Sequence, residues 1–112
     1  MAKYTITLTT AAPTAYICDV VRRRESDNWS GTAYIYGTFG SGTVVIQGSP
    51  DAGVTKFTLD DDSGTAMSTT AAAAFNFDHN GNANINGESP KLYATISGST
   101  AATVTVTVYD NR

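Results

Sequence analysis

The sequence predicts an all-β domain: an antiparallel β-sandwich of about eight strands, with a jelly roll as its expected form. Three observations carry this. Apolar and polar residues alternate with period two at both ends of the chain and at several places between, which sends successive side chains to opposite faces of a strand. Turn residues recur at the roughly 8–12-residue spacing of sandwiches and barrels. Helical spacing is nearly absent.

Tyr4, Ile6 and Leu8 face one way and Thr5, Thr7 and Thr9 the other, a half-buried first strand. The last strand is as regular, with Val104, Val106 and Val108 alternating with Thr103, Thr105 and Thr107. Between them, residues 15–22 are apolar on both faces, and 32–38 carry Tyr34, Ile35 and Tyr36. Gly42 to Ser49 holds Val44, Val45 and Ile46, and Phe57 with Leu59 marks a further strand. Phe75 and Phe77 alternate with Ala74 and Asn76, and Ala83 with Ile85 forms a short strand. Leu92, Ala94 and Ile96 face inward, opposite Tyr93, Thr95 and Ser97. Residues 67–75, with Ala71 to Ala74, read as strand or loop, because the Thr-Thr start and the Phe-Asn-Phe exit oppose a helix.

The punctuation agrees. Gly48 to Gly53, Asp62-Ser63-Gly64, Asn80-Gly81, Asn86-Gly87 and Ser97-Gly98 supply the positive φ angles of tight turns. A chain of 112 residues is about one ordinary domain, so residues 1–112 are expected to form a single sandwich. So small a core gives modest stability, and assembly into a homo-oligomer would add to it.

Charged residues are 15% of the chain, against roughly 25% in a typical domain, and Thr, Ser, Ala, Gly and Asn take their place. A net charge of −3 argues against nucleic acid as a partner, since phosphate binding needs a basic surface. The first ten residues lack the apolar run of a signal peptide or a membrane span, so a protein made in a cytoplasm with no membrane partner is expected. One cysteine, Cys18, and one histidine, His79, leave no intrachain disulfide and no ordinary zinc site. Cys18 reads as a small buried hydrophobe.

Four constellations bear on chemistry. Asp60-Asp61-Asp62 lacks the closing Glu and the spacing of a calcium loop and reads as a solvated turn. Asp78-His79-Asn80-Gly81 reads as a turn, because sequence neighbours on a strand face opposite ways and no activated nucleophile accompanies them. No catalytic, metal or cofactor site is expected. The aromatic group Trp29, Tyr34, Tyr36 and Phe39 suits a core or a protein interface, and its alternative is a glycan-binding platform. Arg22-Arg23-Arg24-Glu25 is the one dense charge. It is either a solvated strand end or a docking edge for acidic groups, since arginine pairs bidentately with carboxylates. The candidate partner-binding residues are therefore Tyr16, Ile17, Val21, Arg22, Arg23, Arg24 and Trp29.

The stretch Gly42-Thr43-Val44-Val45-Ile46-Gln47-Gly48-Ser49-Pro50-Asp51, taken with Ser97 to Val108, resembles small structural proteins of tailed bacteriophages. There a strand of the form Gly-Thr-Val-x-Ile/Leu-Gln-Gly-Ser precedes an Asp/Gly turn and another strand. The resemblance runs from about Gly31 to Asp110; where the pattern often carries Trp after the turn, this chain has Lys56-Phe57. It implies a virion protein, a decoration or cement protein on the capsid exterior that binds the major capsid protein, often as a trimer, with no catalytic or cofactor residues. The different-class alternatives are a glycan-binding module of a tail or fibre and, with no constellation to support it, an enzyme.

Overall fold

The structure, a computed structural model, describes residues 2–19, 29–79 and 90–110, with the side chains of Ala2, Trp29 and His79 outside the description. The described chain is all β. Its strands are β1 (Ala2–Thr9), β2 (Thr14–Asp19), β3 (Trp29–Thr38), β4 (Thr43–Ser49), β5 (Phe57–Thr58), β6 (Ser68–Thr69), β7 (Ala73–His79), β8 (Lys91–Ser97) and β9 (Thr103–Asp110). The predicted strand at Ala83 and Ile85 and the turns at Asn80-Gly81 and Asn86-Gly87 lie outside the described residues.

Two antiparallel sheets form, in the orders β1-β9-β3-β7 and β2-β8-β4-β5, with β6 also on β4. The pairing is nested: β1 lies on β9, β2 on β8, β3 on β7, and β4 on both β5 and β6. Winding that long ribbon adds the contacts of β9 with β3 and of β8 with β4. This is the jelly roll that the strand count and spacing predict.

The core sits between the sheets. Leu8, Ile35, Val104, Val106 and Val108 come from the first, and Val44, Ile46, Leu92, Ala94 and Ile96 from the second, each almost fully enclosed. The period-two reading of β1, β8 and β9 is therefore close to the burial pattern itself, because one face of each strand supplies core and the other, apart from the buried Thr107 of β9, meets solvent. Cys18 is buried, as expected. Gly31 marks a close approach of β3 to β9, since an added Cβ there would run into the Tyr109 carbonyl oxygen.

Two features break the regular pattern, and both lie in the second sheet. The register of β2 on β8 slips between Tyr16 and Cys18, so Ile17 and Cys18, neighbours in sequence, both turn inward. A bulge of this kind adds one residue on one strand, and it explains why this segment reads as apolar on both faces. The other break is on the outer edge of β4. Leu59 donates its N–H to Ile46 O, and Ile46 donates to Met67 O, so Leu59 and Met67 occupy one continuous edge that residues 60–66 interrupt. Those residues form a small hairpin closed by an Asp60–Ala66 bridge. Its tip reaches the first sheet, where the Asp62 N–H donates to Asn76 O at 2.9 Å.

Candidate binding face

The outer face of β2 and β8 gathers the most varied chemistry among the described residues. Alternation along β8 turns Lys91, Tyr93 and Thr95 outward, because Leu92, Ala94 and Ile96 are taken by the core. Tyr16 lies opposite Tyr93 in the ladder, and the rings meet edge to face, 5.7 Å between centroids at 64°. The Lys91 ammonium stands 5.6 Å from the Tyr16 ring centre, and that of Lys56 stands 5.7 Å from Tyr93. These distances suit cation–π attraction. Two rings and two ammonium groups thus interleave across one surface.

A short polar chain fixes one end of it. Tyr16 Oη donates to Asp19 Oδ1 at 2.6 Å, and Lys91 Nζ donates to the same oxygen at 2.7 Å. Asp19 is held below the usual carboxylate range, first by the bond from Lys91 and then by that from Tyr16. The same bond to Asp19, with burial second, pushes the Tyr16 phenol up to about 12. At the other end, the loop after β4 lies against Tyr93. Gly53, at φ +93°, would place a Cβ 2.7 Å from the Tyr93 hydroxyl, and Lys56 Nζ donates to Gly53 O. That loop is held by Asp51, whose Oδ1 accepts from Thr55 N at 2.7 Å and Ser49 Oγ at 2.8 Å. Val54 within the loop and Phe57 just after it stand exposed.

The predicted partner residues separate. Tyr16 is 47% exposed and belongs to this face. Ile17 is 5% exposed and sits in the core, so it supports the face from beneath and cannot touch a partner. Val21, Arg22, Arg23 and Arg24 lie outside the described residues. Trp29 pairs with His79 through the backbone of β3 and β7, and its side chain is outside the description. Lys56, Lys91, Tyr93 and Asp19 join the face without any motif in the sequence that marks them. The outward direction of Tyr93 is readable from alternation, but its neighbourhood depends on the long-range pairing of β2 with β8, which no local pattern encodes.

The aromatic group divides as well. Phe39 is core, whereas Tyr34 and Tyr36 are 45% and 49% exposed on the outer face of the first sheet. Tyr109 meets Tyr34 edge to face at 5.9 Å, with Lys3 above Tyr109. Asp61 is satisfied by its own hairpin, accepting from Ser63 N, Thr65 N and Ser63 Oγ. No cluster of three metal-binding side chains occurs among the described residues. No family model, curated protein or solved structure matches this chain.

Proposed function

We propose that this chain is a non-catalytic structural protein of a virion, a decoration or cement protein that attaches to the capsid exterior. Its partner is the major capsid protein, which it meets through the β2–β8 face. The observation that carries the reading is the half-exposed Tyr16 set among Tyr93, Lys91 and Lys56, on the strand that leads to Arg22, Arg23 and Arg24 in the sequence. Exposed tyrosines beside cations suit a protein surface with acidic groups, since tyrosine and arginine are enriched at binding hot spots. Many copies on one shell would add strength through multivalency. The resemblance of Gly42 to Asp51 and Ser97 to Val108 to phage structural proteins points the same way.

The test is re-binding of purified protein to particles stripped of it. Tyr93→Ala combined with Lys56→Ser should lower occupancy about tenfold, as should replacing the three arginines by serine. Occupancy should also fall as salt rises. Wild-type occupancy for both variants at low and high salt, with unchanged melting curves, would remove this face from the contact.

A second reading has its own observation. Tyr34 and Tyr36 stand exposed on a face where Tyr109, Lys3 and Asn76 join a row of threonine hydroxyls, which suits a glycan-binding module of a tail or fibre. Loss of oligosaccharide binding in Tyr36→Ala with capsid binding intact would favour it.

A further inference from the structure

The free edges of the two sheets are not alike. β2 carries a bulge, β5 and β6 are short and separated by residues 59–67, and β7 is crossed by the hairpin tip at Asn76. Such interruptions protect an edge from pairing with another chain. β1 has none of them: its register on β9 runs unbroken from Ala2↔Asp110 to Thr9↔Thr103.

The direction of its free groups follows from one bond. The Thr9 N–H is turned off the sheet and donates to Ala12 O at 3.1 Å. By the alternation of an antiparallel ladder, the N–H and C=O of Thr7, Thr5 and Lys3 point the same way, away from β9. No described residue bonds to them. Tyr4 and Ile6 of this strand are also less enclosed than their ladder partners: both are half-buried, whereas Val108 and Val106 opposite them are completely covered.

We propose that β1 pairs antiparallel with β1 of a second copy of this chain about a two-fold axis at Ile6, joining two four-stranded sheets into one of eight. The sequence is self-complementary in that register. Ile6 meets its own copy, Tyr4 faces Leu8, and Thr5 faces Thr7, so apolar opposes apolar and hydroxyl opposes hydroxyl along the strand. Charge fits too. Lys3 faces Thr9, and the two Lys3 side chains fall at opposite ends, about 20 Å apart by strand rise and beyond a Debye length of about 10 Å. An isologous contact of this kind closes on itself. A strand edge alone is smaller than the roughly 800 Å² per partner of a standard interface, so the dimer is reversible, with Kd on the order of micromolar.

Sedimentation equilibrium of the full chain between about 1 μM and about 1 mM should show a monomer–dimer equilibrium. Thr7→Pro removes an outward N–H without touching the β1–β9 ladder and should weaken association at least about tenfold. Thr5→Lys with Thr7→Lys places like charges opposite each other and should do the same, while Thr5→Lys with Thr7→Asp should restore association. Both side chains are exposed, so the charge variants decide the matter even if Thr7→Pro unfolds; melting curves check each protein. A single-copy mass at every concentration, a three-copy mass, or a two-copy mass indifferent to the charge variants would overturn the pairing.

Discussion

The two sheets solve the same packing problem differently. In the first, β9 lies between β1 and β3 with continuous registers on both sides, and strict Val/Thr alternation does nearly all the work. In the second, a bulge, a split edge strand and a loop laid over Tyr93 interrupt the pattern. The polar and aromatic chemistry follows the interruptions. The bulge turns Ile17 and Cys18 inward together, and Tyr16 just before it and Asp19 just after it share one hydrogen bond. Regularity builds the scaffold, and local departures from it place the groups of the candidate face.

This contrast has its largest expected consequence at Gly31. Adding a methyl there drives a carbon into the Tyr109 carbonyl and against the tip of the Phe77 ring; the ring can shift, but the carbonyl is backbone and yields only by parting β3 from β9. Gly31→Ala should cost about 3 kcal/mol or more, beyond ordinary overpacking. Gly64 sits at φ +85° with no atom within 4 Å of an added Cβ, so Gly64→Ala meets only backbone strain, about 1 kcal/mol. Urea denaturation of the two variants checks the ranking; equal losses would mean that the strands of the first sheet part more readily than their spacing indicates.

The same contrast decides what was legible in the sequence. β1, β8 and β9 could be read directly, because each has one buried face and so prints its burial as alternation. The segment 67–75, read as strand or loop, is both: Ser68–Thr69 pairs with β4, and β7 begins at Ala73. What could not be read is non-local. A bulge and a two-faced strand give the same string at Ile17-Cys18, and only the partner strand tells them apart. Leu59 and Met67 share one edge although residues 60–66 separate them, which no periodicity reports. Tyr16 was legible as a candidate, whereas Lys56 and Tyr93 became its neighbours only through the winding of the ribbon.

Acid should act on the second sheet's loops before it reaches the first sheet. Asp51 is held below the usual carboxylate range chiefly by the Thr55 backbone N–H, and Asp61 likewise by that of Thr65. A depressed folded-state pKa contributes stability that is present above the unfolded value of about 3.9 and is lost as pH falls through the folded value. The amides of Thr55 and Thr65 should therefore shift and lose exchange protection below about pH 4, while amides of β9 hold. Simultaneous loss in both regions would show that the loops are no weaker than the scaffold. Asp61→Asn should make the acid response of Thr65 disappear and leave that of Thr55 in place.

The smallest effect is at the candidate face itself. Tyr16 is nearly half-exposed, so water screens its bond to Asp19, and Tyr16→Phe should cost only about 0.5 kcal/mol at neutral pH. Its titration is the sharper probe. The phenol is pushed up to about 12 because its proton is held by the Asp19 carboxylate and because ionisation would set two negative charges together. A raised folded-state pKa contributes stability that is complete below the unfolded value of about 10 and is lost as pH rises from there towards 12. The difference in tyrosinate absorbance between wild type and Tyr16→Phe should therefore titrate with its midpoint near 12. Asp19→Asn removes the charge but keeps an acceptor, and should bring that midpoint back towards 10. A wild-type midpoint already near 10 would mean that Tyr16 and Asp19 are apart in solution, and that the bulge of β2 does not fix this end of the candidate face.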